Sequence, residues 1–119
     1  LLQTKGKIIT LGIGKSGHIA KKVSATLSST GSPSNFINAA EALHGDIGGI
    51  TKFDKVLIFS HSGQSKEIID LLPHLKNLGC EFFSITGSKD STIAKNSKIN
   101  LDTGILKPVE DEQALNKKN

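Results

Sequence analysis

Two short stretches carry the groups that could do chemistry, Gly12-Ile13-Gly14-Lys15-Ser16-Gly17 and Ser60-His61-Ser62-Gly63-Gln64-Ser65. Each joins glycine, which lets a ligand approach the backbone, to hydroxyls and a basic side chain. The spacing of the first fits a dinucleotide site (G-x-G-x-x-G), the GKS tail of an ATP-binding P-loop, or a simpler phosphate turn. A P-loop needs its first glycine at residue 9, which is Ile9, so the loop is too short for a triphosphate. A dinucleotide site needs an acid about 20 residues on to hold the ribose. No Asp or Glu lies between Gly12 and Asn38, and that reading stands only as an alternative. What remains is a monophosphate at a helix N-terminus, where free N–H groups and the helix dipole favour an anion. The second stretch offers three hydroxyls, Ser60, Ser62 and Ser65, around a glycine, which makes a nest for phosphate oxygens. Serines that merely cap a helix are the plainer alternative. Two such turns aimed at one crevice favour phosphate.

Both stretches must therefore be held side by side, and the hydrophobic patterning says how. Lys7–Gly12, Ser34–Asn38, Lys55–Ser60, Glu81–Thr86 and Lys98–Asp102 read as strands. Helical spacing runs over Ser16–Thr30 (Ile19, Val23, Leu27) and Ser65–Leu78, the latter stopping at Gly79. Ala39–His44 reads as a helical turn broken at Gly45–Gly49, and Asp90–Asn96 as a short helix. Strands alternating with helices mean right-handed βαβ units and a parallel sheet covered on both faces, a three-layer α/β fold. In a flavodoxin-like sheet of order 2-1-3-4-5, the two glycine-serine turns flank the switch point where ligands bind. Phe36, Phe53, Phe59, Phe82 and Phe83 are the aromatic core candidates.

Bulk properties narrow the class. A chain of 119 residues, 36% hydrophobic and with 12 glycines, holds one domain, residues 1–119. The net charge of +4 and pI near 9.3 invite a nucleic-acid reading. The lysines are spread out, however, Tyr and Trp are absent and no nucleic-acid motif occurs, so the basic surface suits small anionic substrates. No run of about 18 apolar residues is present to span a membrane. The start runs straight into a strand without a signal-peptide layout, and Leu1 reads as the start of a trimmed chain. Cys80, the one cysteine, reads as a small hydrophobe at the lip of a strand and suits a reducing cytoplasm. His18, His44 and His61 match no metal-ligand spacing, so no metal is expected.

Taken together, GIGKSGHIAKKVSATLSSTG, EALHGDIG, SHSGQSKEII and SITG, in this order and at these separations, resemble sugar-isomerase (SIS) domains. Among these the likeness is to bacterial arabinose-5-phosphate isomerases of the KDO pathway of lipopolysaccharide and capsule. It spans roughly Gly6 to Thr103. The resemblance implies a five-stranded parallel sheet, a sugar-phosphate substrate, no cofactor, and conversion of D-ribulose 5-phosphate to D-arabinose 5-phosphate. It places the phosphate loop on Ser60, Ser62 and Ser65 with His61 and Gln64 alongside. Ser16, with Gly14 beside it in the first turn, would contact sugar or phosphate. It also points to Lys15, His44 and Glu67 as polar groups around the substrate.

Such an isomerisation moves a proton between C2 and C1 through an enediol, so it needs a base at the carbon and donors for the developing oxyanion. Glu67 sits one step past the phosphate nest, Lys15 can polarise the carbonyl or hold phosphate, and His44 can shuttle protons. The plainer roles are a first-turn acid for Glu67, a solvated loop lysine for Lys15 and a structural histidine for His44. Glu41 and Asp46 are lesser candidates. Beyond about Thr103 the likeness fades. Glu110 or Glu112 stands where these isomerases carry a further glutamate, and no CBS modules follow, so the domain reads as trimmed at both ends. A non-catalytic, regulatory sugar-phosphate-binding domain is the alternative function. Small α/β domains with shared crevices often pair, so a homo-oligomer is expected.

Overall fold

In the computed structural model, which describes residues 6–103, the apolar runs form five strands. These are β1 (Ile8–Gly12), β2 (Ser34–Asn38), β3 (Lys55–Ser60), β4 (Glu81–Thr86) and β5 (Asn100–Asp102). Helices connect them: α1 (Gly14–Ser29), α2 (Ala39–Ala42), α3 (Lys66–Ile69), α4 (Leu72–Leu78) and α5 (Thr92–Asn96), with a 3₁₀ turn at Asp46–Gly49. All pairings are parallel, as the patterning implies, and the order is the flavodoxin-like β2-β1-β3-β4-β5. At the centre Leu11 pairs with Ile37 on one side and Ile58 on the other.

Alternation divides the two faces. Ile9 and Leu11 of β1, Val56 and Ile58 of β3 and Phe82 of β4 point into one buried cluster with Ile68, Leu71, Leu75 and Ile93. On the opposite face Thr10, fully buried, donates its hydroxyl to the Ala20 carbonyl of α1 at 2.7 Å. The expected apolar stripe Ile19-Val23-Leu27 is not the one that packs. Gly17, Ala20 and Ser24 are the buried residues of α1, whereas Ile19 is 53% exposed. Small side chains win here because the helix lies so close to β1 that a Cβ on Gly12 would meet the Ser16 carbonyl oxygen at 2.8 Å. Helix α1 packs on β1, β2 and β3. On the same face Leu57, Phe83, Ile85, Ile99 and Leu101 line an open hollow of about 530 Å³, with Ile99 61% exposed.

The helix expected over Ser65–Leu78 is two pieces, α3 and α4. Pro73 has no N–H to give and its ring crowds the carbonyl four residues earlier, so the helix is interrupted and Pro73 sits in the first turn of α4. Of the five phenylalanines only Phe59 and Phe82 are buried; Phe53 is 51% exposed in the turn before β3, beneath the Lys52 ammonium. Polar groups lace the strands together at the N-terminal rim of the sheet. The buried Asp54 accepts from the Lys7 N–H at 2.8 Å, the Thr51 N–H at 2.9 Å and the Lys7 ammonium at 3.1 Å. Glu81 pairs with both Lys55 and Lys98. Cys80 is buried and its thiol donates to the Asp54 carbonyl. At the opposite rim β1 ends in Gly12 and β3 in Ser60.

Candidate functional site

The two glycine-serine turns leave neighbouring strands, β1 and β3, whose connections run to opposite sides of the sheet. This is the crevice at which open α/β sheets take their ligands. Ser16 and Ile19 of α1, Phe59, Ser60 and His61 at the end of β3, and Ile85 and Thr103 line one shared hollow of about 150 Å³ there. Helix α1 is suited to an anion at this end. Its N-cap, Ile13, gives no side-chain hydrogen bond, and its first turn carries no acid.

The second turn is built around Ser60, which is buried. Its Oγ accepts the Gly63 N–H at 3.1 Å and lies 3.3 Å from the Ser65 Oγ. Ser65 is the N-cap of α3 yet makes no capping bond with its side chain, so its hydroxyl is turned to Ser60 instead. The Ser62 hydroxyl accepts the Gln64 N–H at 3.0 Å, and the Gln64 side-chain oxygen accepts the Thr92 N–H at 2.6 Å. Ser62, Gln64 and His61 are exposed, as are Gly14 and Lys15 in the first turn of α1.

Lys15, His44 and Glu67 rise on the same C-terminal rim from three elements: the start of α1, the turn after α2 and the first turn of α3. All three are exposed, and none is among the residues lining the shared hollow. The structure thus brings Ser16, Ser60 and His61 together in one hollow and leaves Lys15, His44 and Glu67 outside its lining. Glu41 lies in the first turn of α2 and Asp46 opens the 3₁₀ turn. Glu110 and Glu112 lie outside the described residues. Sequence patterning marks Ile19 and Phe59 only as packing residues and gives no sign that they line this hollow with Ile85 and Thr103. The available signal was position: Thr103 follows β5 on the rim where β3 ends in Ser60.

Comparison with known proteins decides the family. The SIS domain family model matches residues 1–117. The chain belongs to the SIS domain family. This SIS domain is 51% identical over 105 residues to the arabinose 5-phosphate isomerase KdsD of Pseudomonas aeruginosa, covering 88% of the chain and 32% of that protein. It is 50% identical over 97 residues to the arabinose 5-phosphate isomerase KpsF of Escherichia coli O6:H1, covering 82% of the chain and 30% of that protein. Among solved structures, c3406 of Escherichia coli CFT073, in complex with arabinose 5-phosphate, superposes with a TM-score of 0.83 at 42% identity. That match covers 86% of the SIS domain and 54% of the solved chain. The chain therefore spans about a third of the curated relatives' length. Among the described residues no helix is long and apolar enough to cross a membrane.

Proposed function

We propose that residues 1–119 form a single SIS domain with the chemistry of an arabinose-5-phosphate isomerase, interconverting D-ribulose 5-phosphate and D-arabinose 5-phosphate through an enediol. The observation that carries this reading is the hollow shared by Ser16, Ser60 and His61, where a helix N-terminus without acids or a side-chain cap faces a hydroxyl nest. Isomerases of that name at about half identity, and a neighbour solved with arabinose 5-phosphate, support the choice of sugar phosphate. In this reading the phosphate takes the hydroxyls of Ser16, Ser60, Ser62 and Ser65 and the backbone beside Gly14, with His61 at the edge. Lys15, His44 and Glu67 surround the sugar. Glu67 or His44 takes the C1 proton of the ketose and the proton is returned at C2, while Lys15 steadies the oxyanion; no cofactor enters. The resemblance puts the reaction in the KDO branch of lipopolysaccharide biosynthesis. A lone buried cysteine and a phosphorylated substrate support a cytoplasmic location, and the apolar hollow that the described residues leave open on one sheet face supports a homo-oligomer.

A second reading, a sugar-phosphate-binding domain without turnover, is favoured by one fact: His44 and Glu67 are exposed and line no part of the shared hollow. One experiment separates the two. Ribulose 5-phosphate is incubated with the protein in D₂O and followed by NMR for arabinose 5-phosphate carrying deuterium at C2. Label at C2, lost in Glu67→Gln or His44→Ala, is the expected result. Binding without label supports the second reading, and no binding overturns both. Ser60→Ala should weaken binding about tenfold, the loss of roughly one charge-assisted hydrogen bond.

A further inference from the structure

We infer that Gln64 is a positioning residue and not a phosphate ligand: with Gly63 it latches the Ser60–Ser65 loop to the start of α5. The inference rests on the reading of this loop as the phosphate site and says what holds it in shape. Its hydroxyls lie on the last residue of β3 and in the segment leading to α3, and a nest is useful only if it is rigid before the ligand arrives.

Three ties run from this loop to the connection after β4. The Gly87 N–H donates to the His61 carbonyl at 2.8 Å, the Ile93 N–H to the Gly63 carbonyl at 3.0 Å and the Thr92 N–H to the Gln64 Oε1 at 2.6 Å. The last two are first-turn donors of α5, which have no partner within their own helix. Ser91 Oγ supplies the next, accepting the Ala94 N–H at 3.2 Å. The loop therefore caps α5 at two consecutive N–H groups, and Ser91 completes the cap. Contact is as close as geometry permits. Gly63 is buried at φ +66°, and a Cβ there would stand 2.0 Å from Ser91 Oγ and 2.4 Å from Ser91 Cβ. Ser91 is itself buried and holds Ala94, so it has nowhere to withdraw.

The direction of the Gln64 bond is what separates the two roles. Thr92 contributes a backbone N–H, so the side-chain atom facing it is the oxygen. A latch needs only that acceptor, whereas a phosphate ligand needs the amide nitrogen as donor. Gln64→Glu keeps the acceptor, deletes the donor and places a negative charge beside the site. Gln64→Leu deletes both.

The test measures ribulose 5-phosphate affinity by NMR titration, and amide exchange at Thr92, in the whole chain and in both variants. The expected result is a Gln64→Glu protein within about threefold of the parent in Kd, with the Thr92 amide still protected. Gln64→Leu should lose about tenfold in affinity and exchange the Thr92 amide at least about tenfold faster, with Val56 and Ile58 amides unchanged. A Gln64→Glu protein as impaired in binding as Gln64→Leu would overturn the inference in favour of a ligand role. Unchanged Thr92 exchange in Gln64→Leu would overturn the latch itself. If the parent protein binds no sugar phosphate, the functional reading fails, and the latch is decided by the exchange rates alone.

Discussion

Asp54 sits at the end of the sheet where the strands start, and its titration should govern how the protein meets acid. Burial pushes its carboxyl up, but the Lys7 and Thr51 amides and the Lys7 ammonium outweigh this and hold it below the ordinary value. Hydrogen bonds from Lys55 and Lys98 hold Glu81 down to about 2. Both groups have folded pKa values below their unfolded ones. The contribution of Glu81 is complete above the ordinary carboxylate range and is lost as pH falls from 4.5 towards about 2, and that of Asp54 is lost as pH falls below its own ordinary range. Urea melts should therefore show falling stability across that window. Asp54→Asn should cost about 2 kcal/mol at pH 7 and flatten the dependence, and a variant as stable as the parent would refute this assignment. At this scale the sequence was informative where chemistry is local. Ser16 and the Ser60–Ser65 hydroxyls could be singled out from neighbours two or three positions away. The partner of Gln64 could not, because Thr92 lies 28 residues further on. Phe53 misled for a related reason: hydrophobicity marks a core candidate, but its turn before β3 leaves it outside.

Among the elements, the strands matched their patterns to within a residue or two because buried β-branched runs leave little choice of face. Helices were harder. Apolar spacing marked Ile19, Val23 and Leu27, but contact distance selected Gly17, Ala20 and Ser24, a stripe invisible to any measure of hydrophobicity. Pro73 was in plain view, yet its effect depends on whether the preceding turn continues past it. The end of α4 is clearer, since Gly79 stops the helix as expected. It adopts φ +74°, its N–H bonds the Lys76 carbonyl at 3.0 Å, and the Cys80 N–H bonds the Leu75 carbonyl at 3.0 Å. That is a Schellman closure, which needs a left-handed residue. Gly79→Ala should cost about 1–2 kcal/mol in denaturant melts with the sheet unaltered, as read by far-UV circular dichroism. A loss below a few tenths would mean the cap relaxes.

For the molecule as a whole, topology was legible and coverage was not. The βαβ alternation leads to a parallel sheet, and in its flavodoxin-like order, β2-β1-β3-β4-β5, the switch point falls between two glycine-serine turns. It says nothing of how far one helix reaches across a face. Leu57, Phe83, Ile85, Ile99 and Leu101 form the consequence, an apolar surface beside α1. The protein should bind a fluorescent apolar dye there, and Leu101→Lys should lower the signal roughly twofold without shifting the melting temperature. A signal that survives the lysine would place the dye elsewhere. The two rims also divide labour: ion pairs and Asp54 tie the strand starts, and the Ser60 and Ser65 hydroxyls and the start of α1, which has no side-chain cap, stand at the strand ends.

Cys80 lies at the tied rim, buried and bonded to Asp54, with burial and the Asp54 charge pushing its thiol up to about 11. As the sequence's one cysteine, it is a natural clock for the opening of that rim. A disulfide reagent can mark it only during those openings. Under the proposed function, sugar phosphate bound at the far rim slows the marking if both rims open as one unit, by mass action on the closed state. If the base of β3 and β4 frays alone, the marking rate ignores the ligand. Timing one sulfur thus asks whether the scaffold and the site unfold together.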